Sequence, residues 1–292
     1  MTTMPQLGQN ALYQALIGRR SVRRYESTPL SEETLDRVRA NVSSADPLVA
    51  ANHFNVLIRD VMTADDLVEA LGGYGRLLSP PHFMVPTMMG NAHVLTDLAY
   101  RTQQVVIQMT SMGIGSCYIG SLGREPTLRV RFLLKRAARV GAIVIFGPPA
   151  TALGGRTMNA AMRTVMGSSK RLPVEKVFFE KSFEKPGLPP EEIAPLIEAA
   201  RHAPSALNVQ PWRFLWRKKQ LTLFVQKENS KYGKTANQDY RFFDAGLCMA
   251  NLMLGMRALG IAGKWELLEK DARDVPAYPP ELEPVARLQF ER

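Results

Sequence analysis

The chain has 292 residues, 46% of them hydrophobic, with 37 Lys and Arg against 27 Asp and Glu and two cysteines. A chain of this length buries a core without a disulfide or metal staple, and isolated Cys117 and Cys248 argue against a zinc site or a secreted disulfide scaffold and for a reducing compartment. The formal charge of +10 is dispersed in ones, twos and threes, no apolar run reaches the roughly 18 residues of a membrane span, and no basic leader precedes an apolar core, so the expectation is a cytoplasmic protein with neither nucleic acid nor membrane as partner.

In chain order, the first stretch with chemical content is Arg19-Arg20-Ser21-Val22-Arg23-Arg24-Tyr25. In an extended segment alternate side chains share a face, so Arg19, Ser21 and Arg23 can converge on one anion, their guanidinium forks and hydroxyl suiting phosphate oxygens. The same residues would equally make a solvated basic turn. Pro29-Leu30-Ser31-Glu32-Glu33 then opens a helix with Leu35 and Val38 inward and acids in its first turn. Strands are predicted over 54–58 and 83–85. A helix follows from Asp97-Leu98-Ala99 through Val105, Val106, Met109 and Met112 to Gly113-Ile114. After it, Gly115-Ser116-Cys117-Tyr118-Ile119-Gly120-Ser121 reads as a turn whose glycines let a backbone N–H approach a ligand. No strand is predicted ahead of it and it lacks the G-x-G-x-x-G spacing, so a Rossmann site is excluded.

Strands are predicted next over 141–146 and 174–179, on either side of the basic Ser168-Ser169-Lys170-Arg171-Leu172-Pro173, a surface turn unless it shares an anion with Arg19 and Arg23. Leu188-Pro189-Pro190-Glu191-Glu192 opens a second acid-led helix with Ile193, Leu196 and Ile197 inward. Prolines hold Ala203-Pro204-Ser205-Ala206-Leu207-Asn208-Val209-Gln210-Pro211-Trp212 in a non-helical path. Ser205 and Asn208 can there offer hydrogen bonds to a planar polar ligand, or the loop can simply join helix to strand around a core Trp212. Strands over 214–216 and 221–225, a helix from Asp244-Ala245-Gly246 to Gly260-Ile261, and a strand over 285–290 complete the chain.

Asp97 to Gly113 and Asp244 to Gly260 are both spaced by 16 residues, and the two acid-led helix openings correspond as well. The chain therefore reads as two copies of one module, joined near 172–188 and interlocked rather than tethered. The class is α+β, without the regular alternation of a doubly wound sheet.

Arg-x-Ser-x-Arg, Gly-Ile-Gly-Ser after an Asp-led helix, Lys-Arg-Leu-Pro and Ala-Pro-Ser-x-x-Asn-x-Gln-Pro-Trp, in that order over most of residues 15–265, resemble the nitroreductase family of FMN flavoproteins. The resemblance implies a nitroreductase-like FMN-binding fold in a fused, single-chain pseudo-dimer, with the motif set split between a first module, residues 1–175, and a shorter second one, residues 176–292. The first module reads Asn41-Val42-Ser43-Ser44-Ala45-Asp46-Pro47 in place of the Pro-Ser-Asn loop. The second reads Lys181-Ser182-Phe183-Glu184-Lys185 in place of Arg-Ser-Arg. One FMN site between the halves follows. In it Arg19, Arg20, Ser21, Arg23, Lys170 and Arg171 would serve the phosphate and ribityl groups, and Pro204, Ser205, Ala206 and Asn208 the flavin, with Ala206 standing where many relatives carry a second serine. The Gly120 and Ser121 backbone would donate toward flavin N5. The implied activity is hydride transfer from NAD(P)H through FMN to a nitroaromatic, quinone or related small molecule, in a monomer, with no metal and no role for His53, His82, His93 or His202. The alternative is a flavin-binding sensor or store without turnover.

Overall fold

In the computed structural model, which describes residues 8–61, 64–165, 170–233, 237–269, 272 and 274–291, the first sheet is built from β1 (His53–Asp60), β2 (His82–Met89), β3 (Gly115–Gly120) and β4 (Ala142–Gly147). Its order is β1-β2-β4-β3, antiparallel throughout. Among these strands run α1 (Gln9–Gly18), α2 (Glu32–Ser43), α3 (Ala64–Leu71), α4 (Val94–Ser111), α5 (Glu125–Arg131) and α6 (Leu153–Val165). The second sheet joins β5 (Phe178–Glu180), β6 (Trp212–Arg217), β7 (Gln220–Gln226), β8 (Gly263–Leu267) and β9 (Leu282–Phe290) in the order β5-β6-β7-β9-β8, with β5 parallel to β6. α7 (Ala194–Arg201) and α8 (Tyr240–Leu259) accompany it.

The period of two along each strand decides what each face meets. Met84, Val144 and Phe146 pack with Val105, Val106 and Met109 of α4, while Phe83, Val85, Ile143 and Ile145 point the other way into a second cluster with Leu67 and Leu71 of α3. In the second sheet Phe214, Leu223 and Val225 meet Cys248, Met249 and Leu252 of α8, and Leu215 and Phe224 turn to the opposite face. α4 and α8 cross where Gly246 lies against α4. A Cβ there would sit 2.1 Å from the Thr96 carbonyl oxygen, so only glycine permits the approach. Both helices end as their sequences suggest, on glycines in the left-handed region, Gly113 at φ +78° and Gly260 at φ +68°. α8 is long and apolar enough to cross a membrane by composition, with mean hydropathy 1.2, but 78% of that window is buried inside this fold.

The halves are interlocked. Leu12, Ala15 and Leu16 of α1 form one apolar face that packs on Ile107 of α4 and on Leu254 and Ala258 of α8, and the Tyr13 hydroxyl donates to the Pro195 carbonyl at 2.9 Å. Leu172 and Val174, on the first side of the expected boundary, pack into the core of the second sheet. Two strands differ from expectation: residues 115–120, read as a turn, and 263–267, where no strand was expected, are edge strands, fixed by pairing with β4 and β9. The strand expected over 174–179 begins only at Phe178, because Pro173 leads into a single 3-10 turn over Val174–Lys176.

Candidate functional site

A cavity of about 310 Å³ opens between the halves. From the first half it is lined by Arg19, Ser21 and Arg23 and by Tyr118, Ile119 and Gly120 of β3; Arg171 follows, and the second half contributes residues 204–208, Tyr232 and Asn237, and Tyr240, Phe243, Asp244 and Leu247 of α8. The arginines arrive there because the segment after α1 runs beside β3: Ser21 bridges Ser116, and Val22 N–H donates to the Ser116 carbonyl at 2.9 Å. Asn159 of α6 braces the same segment, its Oδ1 accepting from the backbone N–H groups of Arg23 and Arg24 at 2.9 and 3.0 Å.

The cationic end is buried and under-satisfied. Arg19 is 3% exposed and Arg23 6%, and Nε and Nη1 of both lack a hydrogen-bond partner among the described residues. Burial lowers the Arg19 pKa, and the charges of Arg20 and Arg23 lower it further. Arg171 is pushed down to about 10 by burial, then by the charges of Arg19, Arg20 and Arg201. Like charges gathered in a poorly solvated place, with fork-shaped donors left open, suit an oxyanion.

The far wall is held by one carboxylate. Asp244 is fully buried, accepts from the Ala206 N–H at 3.0 and 3.1 Å and from the Tyr232 hydroxyl at 2.8 Å, and is pushed up to about 7 by burial against those hydrogen bonds. It thereby fixes both the 204–208 loop and the Tyr232 turn. That loop carries Leu207, Asn208 and Gln210 at φ between +51° and +54°, a conformation side chains disfavour, so it persists only because it is over-determined. Ser205 Oγ accepts from Gln210 N–H at 2.9 Å, and Gln210 Oε1 accepts from Leu172 N–H at 2.9 Å. Asp97 is the counterpart in the first half, accepting from Leu48 N–H at 2.9 Å and Asn52 Nδ2 at 3.0 Å. Where the cavity has Ala206 and Gly120, the equivalent positions of that second arrangement carry Leu48 and Leu267, both packed against the core of the second sheet.

A family model described as "Putative TM nitroreductase" matches residues 11–236. The chain belongs to the nitroreductase family. The fold is that of a solved "putative nitroreductase" from Thermotoga maritima, 16% identical, aligned over 99% of this chain and 96% of that one with a TM-score of 0.59. Partial similarities include a "putative NADH dehydrogenase/NAD(P)H nitroreductase" from Bacteroides thetaiotaomicron (20% identical, 49% of this chain and 89% of that one, TM-score 0.43) and an FMN-dependent nitroreductase from Clostridium difficile (21% identical, 46% and 85%, TM-score 0.39). None of the curated proteins compared matches the chain.

In this member of the family the cavity gathers Arg19, Ser21, Arg23, Gly120, Arg171, Pro204, Ser205, Ala206 and Asn208, and leaves out three residues of the expected set. Arg20 turns away to the Ile17 and Arg19 carbonyls. Ser121 has spent its donors, its N–H on the Gly141 carbonyl at 3.1 Å and its hydroxyl on the Val140 carbonyl. Because Ser121 and Gly141 are a hydrogen-bonded pair, the neighbouring pair Gly120 and Ala142 is not, so the Gly120 N–H points away from β4 at the open edge of the sheet. Lys170 is exposed, and its backbone carbonyl is what matters, accepting from Asn208 Nδ2 at 2.8 Å and Gln210 Nε2 at 3.2 Å. Asn208 lines the cavity and, with Oδ1 accepting from Arg171 Nη1 at 3.1 Å, its amide also ties the loop to the basic segment. Ser168 and Ser169 lie outside the described residues.

Sequence reasoning missed Tyr118, Tyr232, Asn237, Tyr240 and Phe243 as wall residues. The available signal was the position of Tyr240 and Phe243, four and one residues before the repeat's leading Asp244 on one helix. Tyr240 also sets the shape of the site. Its hydroxyl accepts from Leu122 N–H at 3.0 Å and lies 2.5 Å from where a Cβ on Gly120 would be, so no other residue fits at 120 without displacing the ring. Among the described residues no group of His, Cys, Asp and Glu is placed to hold a metal ion.

Proposed function

We propose that the chain is an FMN-dependent oxidoreductase of the cytoplasm that uses NAD(P)H to reduce a nitroaromatic, quinone or related small molecule, with one cofactor site built inside a monomer between modules 1–175 and 176–292. The observation that carries this reading is the set of open, buried donors on Arg19 and Arg23, converging with Arg171 at one end of a cavity whose other wall is aromatic and aliphatic. A phosphate at the end of a largely planar molecule fits that division of chemistry. When bound, FMN would supply hydride transfer between the nicotinamide and the acceptor.

The protein's own part is binding, orientation and electrostatics. Arg19, Ser21, Arg23 and Arg171 would hold the phosphate, and Asn208 keeps Arg171 in place. The Gly120 N–H is a fixed donor directed out of β3, of the kind that favours charge developing on a bound ring. Tyr118, Phe243 and Leu247 supply apolar surface to the cavity wall. Leu48 and Leu267, at the positions matching Ala206 and Gly120 and packed against the core of the second sheet, support one site per chain. Purified protein diluted to a monomer should retain one FMN per chain and oxidise NADH or NADPH when an acceptor is present. Flavin released on dilution would refute the intramolecular site, and flavin retained without NAD(P)H oxidation would favour a sensor or store.

A further inference from the structure

α5 ends on a left-handed residue that is not glycine. Leu134 N–H donates to the Arg129 carbonyl at 2.8 Å and Leu133 N–H to that of Val130 at 3.3 Å, with Leu133 at φ +52°. This is the reversal in which glycine is usual, because a side chain is strained there. A leucine held in that conformation would be expected to gain packing in exchange, but Leu133 is 92% exposed, and Val130, three residues earlier, is 79% exposed. Among the described residues these are the two most exposed large hydrophobic side chains.

The surroundings are cationic. Arg131, Lys135 and Arg136 are exposed around the two apolar tips, and Lys135 and Arg136 have no carboxylate partner among the described residues. Glu125 is turned inward, accepting from Arg139 Nε at 2.9 Å and from the Val140 N–H. No Asp or Glu occurs in the sequence between Glu125 and Glu175. The outer face of this turn thus offers cations and aliphatic tips together.

We propose that the turn over residues 129–136 docks this protein on the surface of an anionic lipid bilayer, with Val130 and Leu133 entering the boundary between headgroups and acyl chains while Lys135 and Arg136 meet lipid phosphates. The combination favours a bilayer over nucleic acid. Aliphatic tips gain nothing on a phosphate backbone, and the one aromatic ring of the turn, Phe132, is half-buried against Phe83 rather than free to stack. The distribution of charge in the chain does not reveal such a partner, because it does not show which apolar residues remain outside. The inference does not depend on the cofactor reading.

Sedimentation with vesicles tests it. The full chain should pellet with vesicles of phosphatidylcholine mixed with phosphatidylglycerol, weakly with phosphatidylcholine alone, and less as salt is raised. Leu133→Gly relieves the strained conformation, so the variant should be at least as heat-stable as the parent while its affinity for the mixed vesicles falls about tenfold or more. Lys135→Ala with Arg136→Ala should lower that affinity about 25-fold, roughly fivefold for each cation. Failure to pellet with the mixed vesicles, or parental affinity in the Leu133→Gly protein, would overturn the proposal. So would tighter binding to duplex DNA or RNA than to vesicles, or self-association abolished by Leu133→Gly without any vesicle binding.

Discussion

Replacing Arg23 with methionine separates two consequences of the buried cation cluster that have opposite signs. Methionine keeps most of the apolar stem that packs in the wall and removes Nε and Nη1, the two open donors. A hydrogen bond involving a charged group contributes about 1.5–3 kcal/mol, so losing even one weakens FMN by about 10- to 150-fold. Riboflavin, which has no phosphate, should bind the variant nearly as it binds the parent. In the ligand-free protein the effect runs the other way. Arg23 is one of the like charges that lower the Arg19 pKa, so its removal relieves repulsion, and the apoprotein should unfold at the same or a higher temperature. Fluorescence titrations with both flavins, alongside thermal unfolding of the apoprotein, read the two effects separately. Equal losses for FMN and riboflavin, or a markedly less stable apoprotein, would refute the assignment of Arg23 to an anion site.

Asp244→Asn should change the pH dependence of stability. The folded pKa of Asp244, pushed up to about 7, lies above the ordinary carboxylate value, so the folded state holds a proton that the unfolded state has already lost. Its contribution is fully present below about pH 4 and declines as pH rises to about 7, by up to about 1.4 kcal/mol per pH unit. The Asn variant should lack that decline, gaining on the parent across this window in thermal unfolding scans, and parallel curves would refute it. Asn208→Leu removes one hydrogen bond each from Arg171 and the Lys170 carbonyl, so FMN affinity should fall about tenfold with riboflavin much less affected. Equal losses would return the amide to the ring. Gly120→Ala should destabilise the protein by about 1–3 kcal/mol through the Tyr240 hydroxyl, and Tyr240→Phe in that background should recover part of the loss in chemical denaturation.

What the sequence made legible is what depends on residue type at short range. Arg19, Ser21 and Arg23 stand out because charged and hydroxyl groups alternate there, and the leading Asp97 and Asp244 because each opens a long apolar helix ended by glycine. β3 and β8 were hidden because Gly115–Gly120 and Gly263–Leu267 are edge segments rich in glycine or polar residues, and partners 19 or more residues away decide that they are strands. The fate of Ser121 was hidden for the same reason, since only the register with β4 shows that its N–H is used. That Lys170 and Arg171, nearly forty residues upstream, hold the two ends of the Asn208 amide was hidden likewise. Tyr232 and Asp244 lie twelve residues apart with no pattern between them that reveals their hydrogen bond.

Asp97 and Asp244 occupy matching places, yet four residues further along their helices stand Arg101 and Cys248. Burial raises the pKa of both, but at Asp97 the Arg101 charge opposes that rise, whereas the groups facing Asp244 (the Ala206 N–H, the Tyr232 and Tyr240 hydroxyls and the buried Cys248 thiol) are neutral. Two identical subunits would have to carry the same residue at both places, so any change suited to one would be imposed on the other. Joining the copies in one chain removes that constraint. One carboxylate can keep a cation beside it and fasten the scaffold, while its twin faces only neutral groups beside the cavity and is left free to gain or lose a proton.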